Sequence, residues 1–245
     1  MNAAGFSKMF VPGQALSLDE TLVRAFGRIK FKVRIITKSA RYGIKLYVLT
    51  DARTAYVLRI IPYTGKSNVL ETDDDRKKKT VQIVKGLVED YRGSHRTVYI
   101  DRYYSSINVA VELKKMDLYV TGTLMHNRIP AVLTVKKNSA EYKKLLPGDF
   151  KTHTYQYKDD DDNKHCIGIT CWKDSQMVYT LTTDCDTSRS DTCVRRTKDG
   201  LVTINRPHVI QQYNEPLIPI NHSLLGFNDF HKTSQNLQTL VITRV

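Results

Sequence analysis

Three carboxylates and a run of cations are the residues in this chain best placed to do chemistry. Asp19 and Glu20 form a pair at the end of an apolar run that closes on Leu18. Asp101 directly follows the short segment Arg96-Thr97-Val98-Tyr99-Ile100. Strand ends that face loops are where a sheet exposes reactive side chains. The segment Arg28 to Ile35 reads R-I-K-F-K-V-R-I and alternates strictly. As a strand it would show Arg28, Lys30, Lys32 and Arg34 on one face and Ile29, Phe31, Val33 and Ile35 on the other. Lys38, Arg41 and Lys45 continue the charge, and residues 21–50 hold eight Lys or Arg with no Asp or Glu. An isolated acidic pair beside a cationic sheet face is the equipment of an enzyme, or a former enzyme, acting on a phosphate backbone.

The whole chain carries the same bias. Its 245 residues have a net charge of +13, 41% hydrophobic and 26% charged residues. This suits one or two globular domains with a real core and favours nucleic acid or another anionic surface as partner. Residues 1–11 lack the apolar core of a signal peptide, and no apolar run is long enough for a membrane-spanning helix. Cys166, Cys171, Cys185 and Cys193 form no C-x-x-C pair. Zinc is therefore disfavoured, and buried thiols are the expectation.

The elements that must position these groups follow from the pattern. Strands are expected at Ala15–Val23, Lys30–Ile36, Tyr42–Thr50 and Ala55–Tyr63, largely antiparallel. Asp51, at the end of the third, is expected to be a structural turn residue. The acidic stretch Asp73-Asp74-Asp75 opens a helix whose apolar stripe is Val81, Val84, Leu87, Val88 and Tyr91; acids in a first turn offset the helix dipole. A strand ending at Ile100, a helix through Ile107, Ala110, Val111 and Leu113, and a strand at Leu118–Thr123 come next. This order predicts a mixed α/β sheet with flanking helices. Three regions are expected: a core over 1–126, a β-rich insertion over 127–203 with a hairpin around Lys173-Asp174-Ser175, and a divergent, truncated remainder of the core over 204–245.

Several phrases carry a family resemblance when taken together. They are L-S-L-D-E at 16–20, K-S-A-R-Y-G-I-K-L-Y at 38–47, Pro62-Tyr63 with Gly65, V-Y-I-D-R-Y-Y-S-S at 98–106, V-T-G-T-L-M-H-N-R-I-P at 120–130, C-W-K-D-S at 171–175 and R-P-H-V-I-Q-Q-Y-N at 206–214. In this order they resemble the catalytic domain of piggyBac-type transposases. The resemblance implies a ribonuclease-H-like fold with an inserted subdomain. It also implies DNA cleavage and strand transfer by three aspartates holding two divalent metals, Mg²⁺ or Mn²⁺. The first aspartate falls on Asp19 and the second on Asp101, whose carboxylates are expected within about 4–8 Å of each other, as a shared metal pair requires.

The third position departs from the pattern. Asn221 stands where the acid belongs, behind Pro216 and Pro219, which disfavour a helix start. Arg102 also stands where the family often has Asn. The expectation is a transposase-derived, nuclear, DNA-binding protein without catalysis, its cationic face (Arg28, Lys30, Lys32, Arg34, Lys38, Arg41 and Lys45) meeting phosphates. It would act alone, as a homo-oligomer or with a full-length relative, away from membranes. The rivals are an active nuclease recruiting Asp229 or Glu20 as the third ligand, and a DNA-free interaction module or unstable remnant.

Overall fold

A computed structural model of the chain describes residues 10–36, 41–65, 73–135, 139–158, 162–184, 186–197 and 200–215. Asn221, Asp229, Pro216, Pro219, Lys38 and Cys185 lie outside them. The first half builds a mixed sheet from β1 (Ala15–Arg24), β2 (Val33–Arg34), β3 (Tyr42–Asp51), β4 (Val57–Pro62), β5 (Thr97–Ile100) and β6 (Tyr119–Thr123). β1 pairs antiparallel with β3, and β3 with β4. On its other side β1 runs parallel to β5, and β5 parallel to β6. Four antiparallel strands followed by two parallel ones form the mixed α/β sheet expected from the sequence.

Helices α1 (Asp73–Val88) and α2 (Ile107–Lys114) cover one face of this sheet. Val84, Leu87 and Val88 from the first, Tyr91 from the 3-10 turn that follows it, and Val109, Ala110 and Leu113 from the second, are buried in one cluster with Leu16, Leu18, Leu49, Val98, Ile100 and Val120. α2 is capped by Ser106, whose hydroxyl accepts from the Val109 amide at 3.2 Å. Asp51 sits at the β3–β4 turn, where its carboxylate accepts from the amides of Gly13 and Thr54 at 2.8 Å each and from the Thr54 hydroxyl at 2.7 Å. Burial alone would raise its pKa. The hydrogen bonds from Thr54 and Gly13 outweigh that and hold it below the usual carboxylate value.

The sheet does not stop at residue 126. After the short helix α3 (Ala140–Lys144) come β7 (Phe150–Lys158), β8 (Lys164–Lys173) and β9 (Met177–Thr182). β9 pairs with β6, and β8 and β7 follow as an antiparallel extension of the same sheet. Ile167, Ile169 and Leu181 join the main core cluster. Among the described residues only β10 (Ser190–Thr197) and β11 (Gly200–Pro207) make a sheet of their own. Residues 208–215 then form helix α4. Its Val209 and Ile210 are buried against Trp172 and Ile204, on the sheet face opposite α1 and α2.

One expected element is corrected. Lys30–Ile36 is not a strand, because residues 30–31 form a turn and only Val33 and Arg34 pair, with Gly43 and Tyr42. In that register the residues before Val33 would need the edge of β3 from Ile44 onward. β4 occupies that edge, with Leu46 opposite Pro62 and the Tyr63 amide donating to the Lys45 carbonyl at 2.8 Å. The alternation survives without the strand: Arg28, Lys30, Lys32 and Arg34 are exposed, while Ile29, Phe31, Val33 and Ile35 are partly covered.

Candidate active site

Strand register brings the two predicted aspartates together. Leu18 of β1 lies opposite Ile100 of β5 in a parallel pair. Asp19 and Asp101 are therefore the next residues on neighbouring strands, about 4.8 Å apart across the sheet at the backbone. Alternation turns them away from the apolar face that Leu18 and Ile100 share, onto the face covered by α4. Thr123 of β6 reports the same face, its hydroxyl reaching the Asp101 carboxylate at 3.5 Å. The Asp19 carboxylate accepts from the Glu20 amide at 2.7 Å.

Tyr213 of α4 closes this corner. Its phenol is hydrogen-bonded with Thr123 and feels the charges of Asp101, Asp19 and Arg102. Burial, reinforced by the two aspartates, pushes it up to about 12. The base of α4 is fixed by polar contacts. His208 Nδ1 lies 2.7 Å from the Asp191 carboxylate of β10, and Arg206 donates to the Gln211 side chain at 2.7 Å. The sequence phrase around Tyr213 marked the family but gave no sign that this side chain would come close to the two carboxylates. A helix-period reading of residues 208–215 would have placed Tyr213 one turn after Val209, on the same side.

Glu20 points to the other face of β1, where the buried Tyr104 donates to it at 3.0 Å. That phenol is driven far above its ordinary value by burial and by Glu20. A carboxylate turned away from Asp19 and committed to a buried tyrosine is poorly placed as a substitute third ligand.

Two features hold the loop after Asp101. Arg128 donates to the carbonyls of Arg102, Tyr103 and Ser105 at 3.3, 3.0 and 2.7 Å. Gly122 of β6 lies so close beneath that a Cβ there would collide with the Ser105 hydroxyl and come within 2.7 Å of the Ile100 carbonyl. Neither role was visible in the sequence, because both depend on a loop folding back onto a strand.

The predicted cations fall into two groups. Arg28, Lys30, Lys32, Arg34 and Arg41 are exposed on an arm that continues β1 and β3. The arm starts at Arg24, five residues beyond Asp19, or roughly 17 Å along the strand. Lys45 is different: its ammonium lies over the rings of Tyr47 and Tyr103, 5.0 and 4.8 Å from their centroids. It is tied to β3 and to the loop after Asp101 rather than to the arm. The cysteines also divide. Cys171 is buried and its thiol is pushed up to about 11 by burial, whereas Cys166 is exposed, contrary to the expectation of buried thiols.

The comparisons with known proteins agree with this geometry. The family described as Transposase IS4 matches residues 2–224. The chain belongs to the piggyBac-type transposase family. A cryo-EM structure of a piggyBac transposase synaptic complex with hairpin DNA is similar to it, with a TM-score of 0.61 and 25% identity over 86% of this chain. The chain spans 40% of the length of that transposase chain. The family's mixed-sheet catalytic fold is thus present here, with Asp19 and Asp101 each directly following the Leu18–Ile100 pair of its parallel strands β1 and β5.

The family's chemistry uses divalent metals, and the donor types at this corner suit a hard cation. The described residues supply two carboxylates there. Among them no group of three or more His, Cys, Asp or Glu side chains is gathered closely enough to hold a metal. No helix of the described residues is long and apolar enough to cross a membrane.

Proposed function

We propose that this transposase-family chain binds DNA through the cationic arm and has lost most or all of the strand-cleaving chemistry of its relatives. The observation that carries the DNA reading is the arm itself. Arg28, Lys30, Lys32, Arg34 and Arg41 are all exposed at one end of the sheet that carries Asp19 and Asp101. The likeness to a transposase described in complex with hairpin DNA supports it. With DNA as partner, the chain acts in the nucleus, alone, as a homo-oligomer or beside a full-length relative.

Binding of this kind is dominated by phosphates and only mildly selective for sequence. If four of the arm cations touch phosphate, log K should fall against log salt with a slope near about −3.6. An affinity that stays flat between low and moderate salt would refute the reading.

The reduced chemistry follows from the ligand set. Asp19 and Asp101 are the residues that would hold Mg²⁺ or Mn²⁺, and a bound metal pair would supply an activated nucleophile and a stabilised leaving oxygen. Asn221, at the third position of the family pattern, brings no charge to such a site. Loss of one ligand carboxylate lowers occupancy sharply. Tyr213 stays protonated across the physiological range and gives the two aspartates a neutral neighbour instead of a third anion. The test is incubation with duplex carrying element ends in Mn²⁺, beside an Asp101→Ala control. Cleavage that is metal-dependent and vanishes in the control would restore the active-nuclease reading, with its third ligand supplied by Asp229 or another residue.

A further inference from the structure

The base of the arm holds a cleft of about 520 Å³ lined by Arg24, Ala25, Phe26, Gly27, Lys32, Arg41 and Tyr42. Its volume lies in the range of sites for a small ligand, about 300–1,000 Å³. Its lining joins three cations to two rings and no acid. The rings are open to solvent, Phe26 at 75% exposure and Tyr42 at 49%.

The cleft has a built floor. Gly27 takes a positive φ of 88° that lets the chain reverse, and its carbonyl accepts from the Lys32 ammonium at 2.9 Å. This bond ties the end of the arm back across the turn. The Arg34 guanidinium lies over the Tyr42 ring, 5.5 Å from its centroid. β2 and β3 hold Tyr42 in place through its pairing with Arg34.

Exposed rings beside cations have a definite chemical complement. The cations suit phosphate, but phosphate gains nothing from Phe26. A planar base does, provided its face is open, and in a duplex that face is covered by the neighbouring base pair. A base free to leave the stack can lie on a ring while its own phosphates meet Arg24, Lys32 and Arg41. We propose that this cleft is a binding site for an unpaired DNA nucleotide, with Phe26 and Tyr42 as the stacking surface and Arg24, Lys32 and Arg41 as the phosphate contacts. The proposal rests on the DNA-binding reading of the arm and adds to it a preference for single-stranded over paired DNA.

The experiment compares the full chain on two probes, a blunt duplex and the same duplex with an unpaired thymidine tail holding one 2-aminopurine. The tail should tighten binding about tenfold, as one stacked base does, and aminopurine fluorescence should be quenched on binding. Phe26→Ala and Tyr42→Leu, both at exposed positions, should keep the wild-type circular dichroism and blunt-duplex affinity. They should also lose the tail's contribution and the quenching. If the blunt duplex binds but the tail adds nothing, or if both variants keep its contribution, the cleft is not a base site and the DNA reading stands. If neither probe binds, the DNA reading falls and this proposal with it.

Discussion

The aspartate corner and the cationic arm share strand β1 and are built by opposite means. The corner is held by contacts: strand register sets Asp19 beside Asp101, Thr123 and Tyr213 bond across the top, and Arg128 and Gly122 clamp the loop below. The arm has a two-residue strand and a turn, and its side chains face water. Chemistry at a metal site needs groups held within fractions of an ångström, whereas phosphate attraction tolerates loose placement because it acts over several ångströms. Mutations should therefore damage the corner through stability and the arm through binding alone.

The hardest test of that division is Gly122→Val. The added carbons must enter space held by Ser105 and the Ile100 carbonyl, so the fold should lose about 1–3 kcal/mol or more in chemical denaturation. A variant as stable as the wild type would show that the loop after Asp101 is not clamped. Arg128→Ala comes next, at about 1.5–3 kcal/mol, because it removes charge-assisted bonds to three loop carbonyls. Hydrogen exchange at 102–106 should rise in this variant while β1 stays protected.

Alkaline titration probes the covered tyrosines on the two faces of the sheet, Tyr213 at the aspartate corner and Tyr47 in the core. A phenol whose pKa is raised in the fold keeps its proton longer there than in the unfolded chain. Its stabilising contribution is complete below pH 10.0 and is lost as pH climbs through the folded value, about 12 for Tyr213 and Tyr47. Stability should therefore fall above pH 10.0, and Tyr213→Phe should make that fall shallower. At neutral pH the same variant should cost only about 0.5–1.5 kcal/mol, the worth of one hydrogen bond. The smallest effect on folding belongs to the arm. Arg28→Ala with Lys30→Ala should leave stability within about 0.5 kcal/mol of wild type and make the salt slope of DNA binding shallower by about 1.8. A large loss of stability from this pair would erase the distinction between the two regions.

Much of the fold was legible because its signals are local. β1, β3, β5 and β6 announce themselves by short apolar runs, and α1 and α2 by apolar residues at helical spacing. β7 was hidden because it is an edge strand whose side chains are mostly exposed, so F-K-T-H-T-Y-Q-Y-K shows no buried face. The hairpin of β10 and β11 was hidden for the same reason, with Val194, Leu201 and Val202 in solvent.

By itself the sequence determined the charge, the alternation of the arm and the placement of Asp101 at a strand end. These depend on residue type and spacing over a few positions, which no distant contact alters. Asp19, expected at the end of its strand, lies in the middle of β1 because β3 pairs with it as far as Arg24. Tertiary structure decided which strands would be neighbours. It gave the open edge of β3 to β4 and denied it to residues 28–32, since one row of amides and carbonyls can pair with one partner only. It also brought Tyr213 to Asp19 and Asp101 from far along the chain, by laying the apolar side of α4 against Trp172. That placement comes from burying one surface against another, and each of those surfaces is written in a different part of the sequence.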